Sequence, residues 1–294
     1  MKRKDWGGIW TERKLDAFEK YVKAYLTIMN NYRDKYNWKL FYFDAFAGSG
    51  SKKSEQVNEN QMELFNITKE EDTVYRGAAE RVVNIDLRGF DYYYFIESNG
   101  KSKLELEKKL NQIKNKKPLN LQYRCGDANN FLLKLAETMK NNAKLRSLIM
   151  IDPFGMQVNW ETIEQLKETQ TDLWILIPSG VIINRLLDGK GNLKNTKKLS
   201  NYFGLTVEEI KNHFYKKNTS PSLFNIEEYQ KIPDPIPKIA ELYIKQLHTI
   251  FKEVTPKPLK MLNGRNVPIY HFAFASNNAA GLKIANDIIG KEIK

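Results

Sequence analysis

Five short runs rich in apolar and aromatic residues alternate with helical segments between residues 39 and 180. The runs are KLFYFD, DYYYFIES, LNLQYRC, LRSLIMID and TDLWILI, and a helical pattern precedes each run after the first. Strands that alternate with helices indicate βαβ units, whose right-handed crossovers make the strands parallel. The alternation therefore predicts an α/β fold with a mostly parallel sheet and helices on both faces.

A helix is predicted over residues 11–36, with Thr11 as its N-cap. Its apolar residues recur at steps of three and four, which is the spacing of one helix face. We expect this face to pack against the core of the protein. The residues of the face are Leu15, Phe18, Val22, Tyr25, Met29 and Tyr32.

The C-terminal part of the chain returns to regular secondary structure. A helix is predicted over residues 237–253, and two β-prone runs follow it, KPLKML and VPIYHFAFAS. The turn between these runs begins with Asn263 and Gly264, and Asn-Gly in this setting is a strong hairpin signal. The sheet is therefore predicted to finish with an antiparallel pair of strands.

Two segments interrupt the alternating pattern. Residues 51–74 are polar and aperiodic, which predicts an inserted loop. Residues 180–235 contain short helical pieces separated by Gly, Asn, Lys and Pro, and this insertion is too small for an independent domain. We expect one domain over residues 1–294, in which 180–235 is a candidate substrate-binding subdomain.

Composition restricts where the chain works and what it binds. No apolar run is long enough to cross a membrane, and no secretory signal is visible. A single cysteine, Cys125, cannot form an internal disulfide, so we expect a cytoplasmic location. The three histidines have no ligand spacing, so no metal site is expected.

The net charge of +12 predicts a polyanionic partner such as a nucleic acid. A Lys-rich composition inherited from an AT-biased genome explains the same charge without any partner. The abundance of Lys, Asn, Ile and Tyr residues fits that alternative equally well. Charge alone therefore leaves both interpretations open.

The first strand ends in FDAFAGSG, where Asp44 is followed by Gly48 and Gly50. Glycines at this place bring the backbone close to a ligand at the carboxyl edge of a sheet. A phosphate-binding P-loop is excluded because Gly50 is not followed directly by Lys and then Ser or Thr. A dinucleotide fingerprint also fits poorly, since Lys53 stands where a small residue is required. The alternative is a tight turn without a ligand.

The next three strands also end in carboxylates, namely Glu97, Asp127 and Asp152. Each has a simple alternative role, such as helix capping by Glu97 or Asp127. Because the carboxyl ends of parallel strands meet at one edge of the sheet, we expect these groups to lie close together. The series, more than any one member, predicts a binding site.

This series resembles that of the class I S-adenosylmethionine-dependent methyltransferases. The resemblance implies a Rossmann-like sheet with an antiparallel last strand, and S-adenosyl-L-methionine as cofactor. The first strand and its glycine turn would hold the methionine end, the second-strand acid the ribose, and the third-strand acid the adenine. The cofactor-binding residues so implied are Asp44, Phe46, Ala47, Gly48, Gly50, Glu97, Ser98, Asp127 and Ala128.

The resemblance also makes DPFG, from Asp152 to Gly155, the catalytic motif at the site of methyl transfer. An exocyclic amine is a poor nucleophile. Asp152, with a carbonyl near Pro153, can accept hydrogen bonds from both N–H groups of the amine and so favour a reactive, pyramidal nitrogen. Phe154 can stack on an extruded base, and Gly155 lets the chain turn away. The alternative is a proline-terminated strand with Phe154 in the core.

More narrowly, the chain resembles the three-Cys-motif partner family, methyltransferases encoded beside a cysteine-motif protein. The resemblance is carried by FDAFAGSG, FIES, IDPFG and YHFAFASNNAAGLKIANDI. DPFG departs from the Asp-Pro-Pro-aromatic motif of exocyclic-amine enzymes and resembles that of guanine-N2 tRNA methyltransferases. The identity of the base therefore stays open.

These features predict an enzyme that methylates a base amine of RNA or DNA. One alternative is a non-catalytic or cofactor-sensing interaction subunit that works with a three-Cys-motif protein. A second alternative is a small-molecule methyltransferase.

Overall fold

The computed structural model describes residues 8–49, 77–114, 118–189, 191–217 and 229–292. Gly50 and the insertion predicted at 51–74 lie outside the described residues. Residues 190 and 218–228 of the segment predicted at 180–235 also lie outside them.

Ten strands form one large sheet and one small one in the described part of the chain. The large sheet has the order β3-β2-β1-β4-β5-β10, and β8 and β9 both pair with β10 on its other side. Strands β1 to β5 are parallel, and β10 is antiparallel to β5. The strands are β1 (Lys39–Asp44), β2 (Tyr92–Glu97), β3 (Leu121–Cys125), β4 (Leu145–Ile151), β5 (Thr171–Ile177), β6 (Tyr215–Lys217), β7 (Tyr229–Lys231), β8 (Glu253–Val254), β9 (Leu259–Leu262) and β10 (Pro268–Ser276).

Helices cover both faces of the large sheet, as predicted. One group, α1, α2, α3 and α10, makes contacts in series, and a second series joins α4, α5 and α7. A π-helical turn, Ser179–Ile183, follows β5. The helices are α1 (Gly8–Tyr36), α2 (Ala78–Asn84), α3 (Gly100–Lys114), α4 (Ala128–Lys140), α5 (Trp160–Glu164), α6 (Asn184–Leu186), α7 (Thr196–Phe203), α8 (Val207–Phe214), α9 (Pro235–Leu247) and α10 (Ala279–Glu292).

The apolar runs form strands because the sheet is covered on both sides. All residues of β5 are buried, and in β4 only Arg146 is partly exposed. Such continuous burial is typical of central parallel strands between two helical layers. The predicted α/β fold with an antiparallel last strand is confirmed.

Helix α1 begins at Gly8, so the start predicted at Thr11 is wrong. The helix buries most of the face predicted from its spacing, including Leu15, Phe18 and Val22. The prediction is wrong for Tyr32, whose exposed fraction is 47%. The chain enters β1 soon after α1 ends, so the last turns of the helix lie over the amino edge of the sheet. There Tyr32 lines an open cleft instead of the core.

The segment 180–235 contains the predicted short helices. The Thr206 side chain accepts a hydrogen bond from the Glu209 N–H, and Glu209 accepts from the Thr206 N–H in return, so a capping box starts α8. The antiparallel pair formed by β6 and β7 was not predicted. Helix α9 ends at Leu247, earlier than expected, because the chain turns there toward β8.

The closing pair is confirmed, since β9 and β10 are antiparallel neighbours. The connection is longer than the two-residue turn that Asn-Gly favours. The Asn263 side chain accepts hydrogen bonds from the Arg265 and Val267 N–H groups at 2.9 and 3.0 Å. Asn266 takes a left-handed φ of 58°. The Asn263 side chain and the left-handed backbone at Asn266 therefore organise the loop.

Gly204 ends α7 where this helix packs against Trp160 of α5, and a substitution of Gly204 tests that packing. Its φ is +65°, and a Cβ there would lie 2.0 Å from Trp160 Cδ1. Gly204→Ala should therefore lower the free energy of unfolding by about 2 to 4 kcal/mol in urea denaturation. Gly189→Ala is the matched control, because a Cβ there meets nothing within 4 Å. Equal stability of the two variants would contradict this packing.

Candidate functional site

The four predicted carboxylates lie at the carboxyl edge of the large sheet, at the ends of neighbouring strands. From β1 the chain moves outward through β2 and β3, and it then returns to place β4 on the other side of β1. Such a reversal of strand order leaves a crevice outside the carboxyl ends of the strands. Asp44 ends β1 and Asp152 directly follows β4, so both lie at the reversal.

A cleft of about 520 Å³ opens at this edge. Its size is within the range of sites for small molecules. Phe46, Ser98, Asp127 and Ala128, four of the predicted cofactor-binding residues, line it. The remaining lining residues, which the sequence did not indicate, are Asn129, Met156, Gln157, Asn159, Asn195, Lys197, Lys198 and Asn201.

Glu97 holds the glycine turn in place. The Gly48 N–H donates to Glu97 Oε2 at 3.0 Å, and the Asn99 N–H donates to Oε1 at 2.7 Å. Gly48 has a φ of +64°, a left-handed conformation that favours glycine. Oε1 also accepts from the Ser98 hydroxyl at 3.4 Å, so Oε2 has the lone pair that can still accept from a ligand hydroxyl.

Asp127 is the N-cap of α4, the alternative role that the sequence allowed. Its Oδ1 accepts a hydrogen bond from the Asn129 N–H at 2.6 Å. The Asn129 side chain donates to the Gln157 carbonyl and accepts from the Asn159 N–H, both at 2.9 Å. Asp127 also lines the cleft, so capping and ligand contact are compatible.

Asp152 is buried and forms an ion pair with Lys14 of α1, which is fully buried. The Lys14 ammonium donates to Asp152 Oδ2, whereas Oδ1 is buried without a hydrogen-bond partner among the described residues. Burial raises the pKa of Asp152, and the Lys14 charge opposes that rise. The end of β4 therefore holds one carboxylate oxygen fixed and leaves the other unsatisfied.

Asp44 is buried close to this pair. Burial raises the pKa of Asp44 to about 7, and the nearby Asp152 carboxylate adds to the rise. Hydrogen bonds from the Phe46 N–H at 3.2 Å and the Tyr42 hydroxyl at 3.3 Å favour the charged form. Asp44 therefore changes its protonation near neutral pH, as groups at functional sites often do.

The rest of the DPFG motif forms a tight loop after β4. The Phe154 N–H donates to Gln157 Oε1 at 2.9 Å, and the Phe154 ring is partly buried against the core. A Cβ on Gly155 would lie 2.8 Å from Ile182 Cδ1, in the π-helical turn. Gly155 therefore allows close packing here, while Phe154 keeps an exposed part.

Sequence reasoning missed Lys14 and Asn129. Lys14 lies four residues before Phe18, on the same apolar face of α1, and a cation on a buried face is a sign of a buried partner. Asn129 follows Asp127 within the first turn of α4, where a polar side chain can bond to neighbouring backbone. Neither signal identifies the partner, because the partners are distant in sequence.

The described residues contain no group of three or more His, Cys, Asp or Glu side chains that could hold a metal ion. Among the described helices, none is long and apolar enough to cross a membrane.

No protein-family model matches the chain, and no curated protein matches it. A comparison with solved structures matches it to Trm1 from Pyrococcus horikoshii in complex with S-adenosyl-L-methionine. The sequence identity is 11% and the TM-score is 0.40. The match covers 94% of this chain and 58% of that chain, so this chain spans little more than half the length of that protein.

The Lys14–Asp152 pair can be tested by its effect on stability. Lys14→Met should lower the free energy of unfolding by about 3 to 5 kcal/mol at neutral pH, because it leaves Asp152 buried and unpaired. The loss should shrink as the pH is lowered and Asp152 takes up a proton. Urea denaturation across a pH series measures both effects.

Two variants serve as controls for this experiment. Lys23→Met removes an exposed cation of the same helix and should change stability little. The double variant Lys14→Met with Asp152→Asn removes both charges and should recover much of the lost stability. A Lys14→Met protein as stable as Lys23→Met would contradict the pairing.

Proposed function

We propose that this chain is an S-adenosyl-L-methionine-dependent methyltransferase that acts on the exocyclic amine of a base in RNA or DNA. The proposal rests on one observation: four carboxylates at strand ends lie along the carboxyl edge of the sheet, where the strand order reverses. A cytoplasmic location and a three-Cys-motif protein partner belong to the same proposal.

The residues that line the cleft, together with Glu97 and Asp44 at the same edge of the sheet, fit the parts of this cofactor. Ala128 is small and buried, which leaves room for a ring beside Asp127, whose second oxygen can accept from the adenine amine. Glu97 Oε2 can accept from one ribose hydroxyl while it holds the Gly48 turn, and Oε1 can accept from the other once the Ser98 hydroxyl turns away. Asp44 provides a negative charge for the ammonium group of the methionine end. When bound, the cofactor supplies a methyl group on a positively charged sulfur.

Asp152 is suited to orient the methyl acceptor. Lys14 donates to Oδ2, so Oδ1 remains to accept a hydrogen bond from the amine. There it can also stabilise the positive charge that develops on the nitrogen during transfer. Oδ1 is buried, so a base reaches it only after side chains above it move. The partial exposure of Phe154 supports a role for its ring in stacking on such a base.

Lys197 and Lys198 of α7 support a nucleic-acid substrate. Both line the cleft together with Asp127, and partial burial lowers the pKa of Lys198. Cations beside the cleft suit the phosphates that flank a target base. Because α7 lies in the segment 180–235, this segment is the proposed substrate-binding subdomain.

Cofactor affinity should depend on pH through Asp44. With a pKa of about 7, Asp44 is mostly protonated at pH 6 and mostly charged at pH 8. Binding of a ligand ammonium favours the charged form, so affinity should rise by about tenfold over this interval. Isothermal titration at each pH measures it.

The ammonium group of the cofactor also titrates, and Asp44→Asn is the control for that effect. The variant removes the Asp44 carboxylate and leaves the titration of the cofactor unchanged. The ratio of wild-type to Asp44→Asn affinity should increase from pH 6 to pH 8. A ratio that does not change with pH would remove Asp44 from the cofactor site.

Methyl transfer tests the proposal directly. The protein is incubated with cofactor labelled in its methyl group and with total RNA, genomic DNA or a pool of small metabolites. Label in RNA or DNA is the expected result, and Asp152→Asn should lower it by about a hundredfold or more while cofactor affinity stays nearly unchanged. Label only in small metabolites would contradict the substrate class.

Asp152→Asn also leaves Lys14 buried without its charged partner, so lost activity alone does not prove a role in transfer. The double variant with Lys14→Met removes that problem and should be folded but equally inactive. An active double variant would show that Asp152 has no part in methyl transfer.

A further inference from the structure

A second cleft, of about 720 Å³, lies at the amino edge of the sheet, and we call it the amino-edge cleft. It is opposite the 520 Å³ cleft at the carboxyl edge, which we call the cofactor cleft. The amino-edge cleft lies between the second half of α1, the starts of β4 and β5, and the first turn of α10. Nothing in the proposed methyl transfer uses it.

A row of aromatic rings forms one wall of the amino-edge cleft. Tyr32 and Tyr36 have ring centres 6.3 Å apart, and Tyr36 stacks on Trp38 at 5.0 Å with 23° between the ring planes. The Arg146 guanidinium lies 4.3 Å from the centre of the Trp38 ring and continues the row. Tyr32 and Tyr36 are 47% and 46% exposed, so their rings are open to a ligand.

Arg146 has no carboxylate partner within the described part of the chain. Its guanidinium donates only to backbone carbonyls, those of Ala143 at 2.7 Å and Leu145 at 2.8 Å. Partial burial lowers the pKa of Arg146, as expected for a cation that has lost hydration. Lys35 adds a second positive charge, 5.3 Å from the Tyr36 ring centre.

The inner end of the cleft offers a hydrogen-bonding group. Tyr25 is buried there and lines the cleft, so its hydroxyl is a hydrogen-bonding group at that end. Asp172 is the carboxylate in this cleft, and its two oxygens accept from the Tyr21 hydroxyl at 2.7 Å and the Ser276 hydroxyl at 2.5 Å. Burial also raises the pKa of Asp172. The hydrogen bonds from the Tyr21 and Ser276 hydroxyls act against that rise.

We propose that the amino-edge cleft binds a nucleotide, with its base stacked on the aromatic row and its phosphate beside Arg146. Stacked rings attract flat aromatic groups of any sequence, and an unpaired guanidinium attracts phosphate and repels cations. The chain's charge of +12 favours the same class of ligand. The nucleotide is either free or one unit of a single strand. This inference does not depend on methyl transfer.

Binding is measured with two probes, uridine monophosphate and a fluorescein-labelled single-stranded oligouridine of about eight nucleotides. Pyrimidine probes avoid the adenosine that the cofactor cleft is proposed to bind. Affinity for the oligonucleotide alone identifies a strand as the source, and affinity for both probes identifies the nucleotide unit itself. Failure of both probes to bind at low salt would overturn the proposal.

Variants then place the binding at this cleft. Tyr36→Ala and Arg146→Gln should each weaken binding by about tenfold, and Arg146→Gln should also reduce the salt dependence. Lys144→Gln removes the same charge from an exposed neighbour outside the cleft and should have little effect. Circular dichroism confirms that each variant is folded. Equal loss in Lys144→Gln and Arg146→Gln, or no loss in Tyr36→Ala, would overturn the proposal.

The same variants separate this inference from the proposed enzyme activity. Affinity for S-adenosylmethionine should be unchanged in Tyr36→Ala, because the two clefts lie at opposite edges of the sheet. Nucleotide binding by a protein that transfers no methyl group would still support the amino-edge site.

Discussion

The buried ion pair between Lys14 and Asp152 connects the N-terminal helix to the point where strand order reverses. Two charges taken out of water are tolerated only when they stay together, and either one alone is costly. The position of α1 over the sheet and the charge of Asp152 after β4 therefore depend on each other. This dependence also explains why Asp152 has one fixed oxygen and one unsatisfied oxygen.

The remaining features of the site are arranged around that pair. Asp44 lies close enough to Asp152 for the second carboxylate to raise its pKa. Glu97 holds the glycine turn from the neighbouring strand, and Asn129 ties the first turn of α4 to the loop after β4. Polar groups that satisfy each other's backbone thus keep the crevice open at an edge where apolar packing ends.

Much of the fold, and the meeting of the four carboxylates at one edge, could be predicted from the sequence, because both follow from local patterns. Continuous apolar runs and helical spacing identified β1 to β5, and parallel strands necessarily bring their carboxyl ends to one edge. Lys14 as the partner of Asp152 could not be predicted, since 138 residues separate them. Helical spacing also assigned Tyr32 to the core, but this residue is exposed. Periodicity shows which face of a helix is apolar, and it does not show where the sheet beneath that face ends.

The central claim is that the crevice at the carboxyl edge binds S-adenosylmethionine, and isothermal titration with the wild-type protein and Glu97→Ala tests it most directly. We expect one site in the wild type and a loss of about 2 kcal/mol, roughly thirtyfold, in Glu97→Ala. Glu105→Ala, which removes an exposed carboxylate of α3, should bind like the wild type. No binding by the wild type, or unchanged affinity in a folded Glu97→Ala protein, would contradict the account.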